Sequence, residues 1–165
     1  SAVDLGAHEF QGLGPIYRFW SPTKNRHFYT MSRLELDSLF EGRQEAWEFE
    51  GVAFYAFYMA GNPDLSPVHR FWSDQLEAHC WTASEQERQA LAGQFARFWT
   101  YEGVSFYAYG EALRPARTVP VYRFWSDRLR HHFYTADESE KRKLIDQYPA
   151  TWTFEGVAFY AYPSQ

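Results

Sequence analysis

Arg18, Trp20, His27, Tyr29 and Glu50 form a set that could do chemistry, and the chain repeats it twice. Arg70, Trp72, His79, Trp81 and Glu102 stand at the same relative positions, then Arg123, Trp125, His132, Tyr134 and Glu155. A flat indole or phenol ring can stack on the apolar C–H face of a sugar. Arg, His and Glu can then fix its hydroxyls with charge-assisted hydrogen bonds. The set predicts a carbohydrate site in each repeat or between adjacent repeats. Trp20, Trp72 and Trp125 are the stacking surfaces, with Tyr29, Trp81 and Tyr134 behind them. Three equivalent weak sites would gain from multivalency.

Each residue also has a plain structural role open to it. A repeated Arg and Glu read as a buried ion pair, because buried charge is costly unless partnered. His27 can donate to a backbone carbonyl across a hairpin, Thr30 can satisfy a strand end, and Trp47 reads as core. Trp20 reads differently, since Phe19 beside it already serves the opposite strand face. Two other chemistries compete. His27, His79 and His132 could converge and offer three imidazoles to zinc, but no sequence-local ligand pair supports this and no metal is expected. Catalysis needs a distinctive constellation in one cleft. Here the polar residues come in triplicate, with no glycine-rich phosphate loop and no nucleophile elbow. The adjacent pairs His79-Cys80 and His131-His132 point to opposite strand faces. The expectation is a non-catalytic, cofactor-free glycan-binding module. A protein–protein module is the alternative, because exposed Trp, Tyr and Arg also anchor interfaces.

The elements that must position these residues follow from self-comparison. Residues 16–57, 68–109 and 121–162 align without a gap, and in each the arginine lies 29 residues before a tryptophan: Trp47, Trp99 or Trp152. Connectors 58–67 and 110–120 carry the Gly, Pro and Asn of loops. Each unit reads as strand, strand, short helix, strand, strand. Ile16–Ser21 and His27–Met31 form a hairpin across the turn signal Pro22–Asn25. Ser32 with Glu35 and Ser84 with Glu87 are capping boxes, and Asp137 with Glu140 takes that place in the third unit. The helices are anchored by Leu39, Leu91 and Leu144. A shared glycine, Gly51, Gly103 or Gly156, suits a positive φ in a tight turn or bulge before the last aromatic strand. Phe19, Val52, Phe54 and Ala56 are core candidates. Three ββαββ units make twelve strands in pseudo-threefold symmetry, mostly β, as a single domain. A three-bladed propeller-like array is favoured over a β-trefoil, because each unit carries a helix.

Composition narrows the classes. The chain has 165 residues and 34 aromatic side chains (7 Trp, 12 Tyr, 15 Phe), far more than an ordinary core needs. With 45% apolar residues it can bury enough surface to fold. A formal charge of −5 argues against nucleic acid or an anionic membrane as partner. The longest apolar run, Val52–Ala60, has nine residues, against the roughly 20 of a spanning helix. The first 14 residues contain no basic stretch followed by an apolar one, so no signal peptide is expected and the chain reads as a mature protein or an excised domain. Cys80 is the one cysteine and fixes no redox compartment.

The pattern YRFW-S, HFYT, helix, then EGVAFYA resembles a repeat family catalogued as a domain of unknown function. The resemblance covers all three units. It implies a secreted or cell-surface module, often appended to hydrolases, that would hold its parent on cell-wall or surface polysaccharide. The family's commoner Tyr-Asn after YRF is here Trp20-Ser21, Trp72-Ser73 and Trp125-Ser126. The second unit departs further, with His69 for tyrosine and Cys80-Trp81 for Phe-Tyr, so its site is expected to be the weakest.

Overall fold

Runs rich in aromatic and β-branched residues make the strands, and capped polar stretches make the helices. The computed structural model describes residues 10–42 and 47–164; most of the opening stretch read for a leader, residues 1–9, lies outside them. The first unit is β1 (Leu13–Ser21), β2 (Arg26–Thr30), α1 (Arg33–Glu41) and β3 (Glu48–Phe57). The second is β4 (Leu65–Ser73), β5 (Ala78–Thr82), α2 (Glu85–Ala92) and β6 (Thr100–Tyr109). A 3-10 turn, Glu111–Leu113, lies in the connector. The third unit is β7 (Val119–Ser126), β8 (His131–Thr135), α3 (Glu138–Gln147) and β9 (Thr153–Pro163).

The units are therefore ββαβ, with nine strands among the described residues rather than twelve. The two strands expected after each helix are one. Gly51, at φ +99°, sits inside β3 as a bulge and does not end a strand; Gly103 and Gly156, both at +102°, do the same in β6 and β9. The strands form one open, antiparallel sheet, with no closed barrel among the described residues. Each unit is a three-stranded antiparallel ladder, β2-β1-β3, β5-β4-β6 and β8-β7-β9. The third strands also touch one another through Phe57 and Tyr107, Tyr109 and Tyr160, and Tyr55 and Tyr162.

The core is filled in triplicate by Ile16, Val68 and Val121, and by Phe54, Phe106 and Phe159. The three phenyl rings meet edge to face at 5.5–6.0 Å. Full burial of each such ring contributes roughly 1.5–3 kcal/mol. Val52 was expected among them and does not join them. Its equivalents Val104 and Val157 are 42% and 43% exposed. A second irregularity explains this: Ile16 faces Phe54 but Tyr17 faces Val52, so Ala53 is an extra residue and alternation reverses there.

The N-caps hold as expected. Ser32 and Ser84 accept from the amides of Glu35 and Glu87, and Asp137 from those of Ser139 and Glu140. The reciprocal half of the capping box is absent, because a threonine replaces it. The amide of Ser32 donates to Thr30 Oγ1, and that hydroxyl donates to Glu35. Thr82 does the same between Ser84 and Glu87, and Thr135 between Asp137 and Glu140. The three glutamates are thus turned away from their own helix ends.

Candidate functional site

Hairpin register decides which side chains meet. Trp20 lies opposite His27 and Arg18 opposite Tyr29, so all four share one face. The same pairs recur as Trp72 with His79 and Trp125 with His132. Each indole rests on its imidazole, with centroids 4.7, 4.7 and 4.8 Å apart. The bulge then supplies the carboxylate. Arg18 pairs with Gly51 and Phe19 with Phe49, leaving Glu50 as the extra residue. A bulge re-aims a side chain in this way, and Glu50 meets both Arg18 Nε at 2.8 Å and His27 Nε2 at 3.1 Å. Glu102 and Glu155 hold the Arg70–His79 and Arg123–His132 pairs identically.

The rest of each guanidinium reaches into a different unit. Arg18 Nη1 and Nη2 donate to both oxygens of Glu140, on the third unit's helix. Arg70 grips Glu35 of the first unit, and Arg123 grips Glu87 of the second. Each arginine is a fork between two carboxylates, a geometry lysine could not supply. Burial pushes the Glu50 carboxyl up, but the His27 hydrogen bond and the Arg18 charge outweigh it and hold the group below the usual range. Burial and the Arg70 charge drive the His79 imidazole down to about 3. Its Nε2 lies 3.0 Å from Glu102.

Clefts open where one unit meets the next. Between the first and third units lies one of about 490 Å³, lined by Arg18, Trp20, His27 and Glu50 on one side and Phe133, Glu140, Leu144 and Trp152 on the other. Asn25, Lys143 and Tyr148 stand at it as well. Between the second and first units a cavity of about 220 Å³ is built from the equivalents Trp72, His79, Phe28, Leu39 and Trp47. The predicted residues of a unit thus form one wall of a cleft, and the facing wall comes from a neighbouring unit.

Some expectations are corrected. Tyr29, Trp81 and Tyr134 cannot stack on a ligand, because they are 2%, 3% and 2% exposed. They meet edge to face at 5.4–5.6 Å in the centre of the core. Tyr134 Oη donates to the carbonyl of Trp81 and accepts its amide; Tyr29 Oη does the same with Tyr134. Trp47 packs against the core as expected and also walls the smaller cavity, while Trp152 walls the larger. The reasons for a weak second site also fall away. His69 bonds Tyr101 at 2.7 Å, Trp81 bonds Ser105, and neither they nor Cys80 line the Trp72 cavity. His27, His79 and His132 do face one cavity, together with His131, yet among the described residues no three ligand side chains are grouped to hold a metal ion.

The helix glutamates Glu35, Glu87 and Glu140 were read only as cap residues. Their recurrence beside a repeated, otherwise half-satisfied arginine was the signal that could have found them. Phe28 and Phe133 were equally hidden in the HFYT block; each packs on a histidine of the next unit, at 5.1 and 4.9 Å. No helix of the described residues is long and apolar enough to cross a membrane.

No curated protein and no solved structure matches this chain. The profile of a domain of unknown function, DUF5648, matches residues 14–162, which takes in every one of the clamps and clefts described above, and the chain belongs to that family.

Proposed function

We propose that the protein is a non-catalytic carbohydrate-binding module that takes cell-wall or surface glycans in the clefts between its units, as part of a secreted or cell-surface protein. The observation that carries this reading is the cleft of about 490 Å³ between the first and third units, a size suited to a small-molecule ligand. Two partly buried indoles, Trp20 and Trp152, wall it. Along one edge runs the polar row of His27, Glu50, Arg18 and Glu140, rigidly oriented by mutual bonds. Preorganised polar groups beside flat rings suit a ligand with an apolar face and a hydroxyl rim. In the same reading the three ββαβ units are blades of a small propeller-like ring. Its support is the direction of the arginine forks, which run from the first unit to the third, the third to the second and the second to the first.

The test is a glycan array with pull-down on insoluble polysaccharides, using wild type and the single variants Trp20→Ala and Trp152→Ala. Binding competed by soluble sugar, and weakened at least about tenfold in either folded variant, is the expected result. Binding that survives both changes unaltered removes these tryptophans from the site. The second reading, a protein-binding module, draws on Phe49, Tyr101 and Phe154, which are exposed at equivalent positions. A single protein partner indifferent to free sugar would favour it.

A further inference from the structure

The two clefts are not isolated from one another. His27 and His131 line both the cavity of about 490 Å³ and that of about 220 Å³. The first unit's hairpin tip divides them, with Asn25 facing the larger and Lys24 and Arg26 the smaller. Four indoles are spread over the pair, Trp20 and Trp152 in one and Trp72 and Trp47 in the other.

Size separates two ways of using such a pair. Self-standing ligand sites occupy roughly 300–1,000 Å³. The larger cleft falls inside that range, but the smaller, at about 220 Å³, falls below it. Alone it would hold a ligand poorly; as a continuation of its neighbour it adds a subsite. Neither cavity is enclosed, so both are open to a ligand from solvent.

Resting on the glycan reading above, we infer that the ligand is a linear glycan chain, one per module, bound along its length across both clefts and over the Lys24–Arg26 hairpin tip. Independent capture of three separate sugar ends is a different arrangement. Stacking on successive indoles acts intramolecularly once the first sugar is seated, so affinity must climb with chain length until both clefts are filled.

The test is calorimetric titration of the wild-type protein with cello-, xylo-, malto- and chito-oligosaccharide ladders, from mono- to hexasaccharide. The expected result is one ladder whose affinity rises at least about tenfold from its shortest to its longest member, at one chain per module. Trp72→Ala should then weaken the hexasaccharide at least about tenfold and flatten the rise of affinity with chain length; a rise that Trp72→Ala leaves intact overturns the inference. A monosaccharide that binds as tightly as the hexasaccharide, at two or three per module, overturns the inference and leaves the glycan reading standing. Failure of every ladder and of the glycan array on folded protein overturns both.

Discussion

Arg18 and Glu140 are 122 residues apart in the chain and meet through two parallel hydrogen bonds of 2.9 and 3.0 Å. Replacing Arg18 by Met, or Glu140 by Gln, leaves a charged partner half-buried. The expected cost is on the order of 2 kcal/mol, less than for a fully buried pair because Glu140 keeps 31% of its side chain exposed. Arg18→Lys should recover little of it, since one ammonium cannot span the fork. Denaturant unfolding checks this, and a neutral Glu140→Gln would show that the clamp does not tie the units.

Gly51 tests the bulge. A Cβ there would meet nothing within 4 Å, so any penalty of Gly51→Ala comes from the backbone at φ +99°. About 1–2 kcal/mol is expected, and the same for Gly103 and Gly156. If Gly51→Ala is silent in unfolding experiments, the bulge is not what aims Glu50.

The central tyrosines make a second stability prediction. Tyr134→Phe removes a buried hydroxyl that both accepts the Trp81 amide and donates to its carbonyl, each at 2.8 Å. Leaving those groups unsatisfied should cost about 2 kcal/mol by thermal or denaturant unfolding. Trp81 has no hydroxyl to offer in turn, so Trp81→Phe should lose only its indole bond to Ser105 and packing. Equal losses from bonded and unbonded aromatics would contradict this account.

Acid acts through two kinds of group. Partial desolvation raises Glu35, Glu87 and Glu155, but hydrogen bonds from Arg70, Arg123 and His132 respectively outweigh this and hold all three below 4.5. Their stabilisation is complete above that value and disappears as pH falls through the lowered one. Burial lowers His131 from 6.5 to about 4. Its contribution is therefore full above pH 6.5 and declines as pH drops from 6.5 to 4. Subtracting the stability profile of His131→Ala from that of wild type should isolate this limb. Alanine fits there because Ala78 holds the same place in the second unit. A flat difference between pH 6.5 and 4 would refute the assignment.

The helix caps and the separate strand face of Trp20 and Trp72 were legible in the sequence because they depend on local spacing; the cleft roles of Trp47 and Trp152 were not. What connects the units was not, since no periodicity within one unit says which neighbour Arg18 reaches. Tyr29 and Trp20 illustrate the limit. Both are aromatic, both recur, and both lie on one face of a hairpin, yet one is central core and the other walls a cleft. The difference lies in how near each falls to the meeting point of the three units, which is a property of their packing together. Val52 was misplaced for a smaller reason: one extra residue, Ala53, reverses strand alternation, and an alanine carries no mark of a bulge.

The contact between the first and third units also has a kinetic meaning. The partner that completes Arg18 is made 122 residues after it, and Tyr162, which pairs with Tyr55, is made later still. A growing chain emerging residue by residue therefore holds its first unit open, with cleft aromatics bared, until the third helix arrives. Such high sequence separation slows folding and lengthens the interval during which half-built molecules can find one another. Swapped assemblies, in which one molecule's Glu140 meets another's Arg18, are the misfolded product this geometry favours.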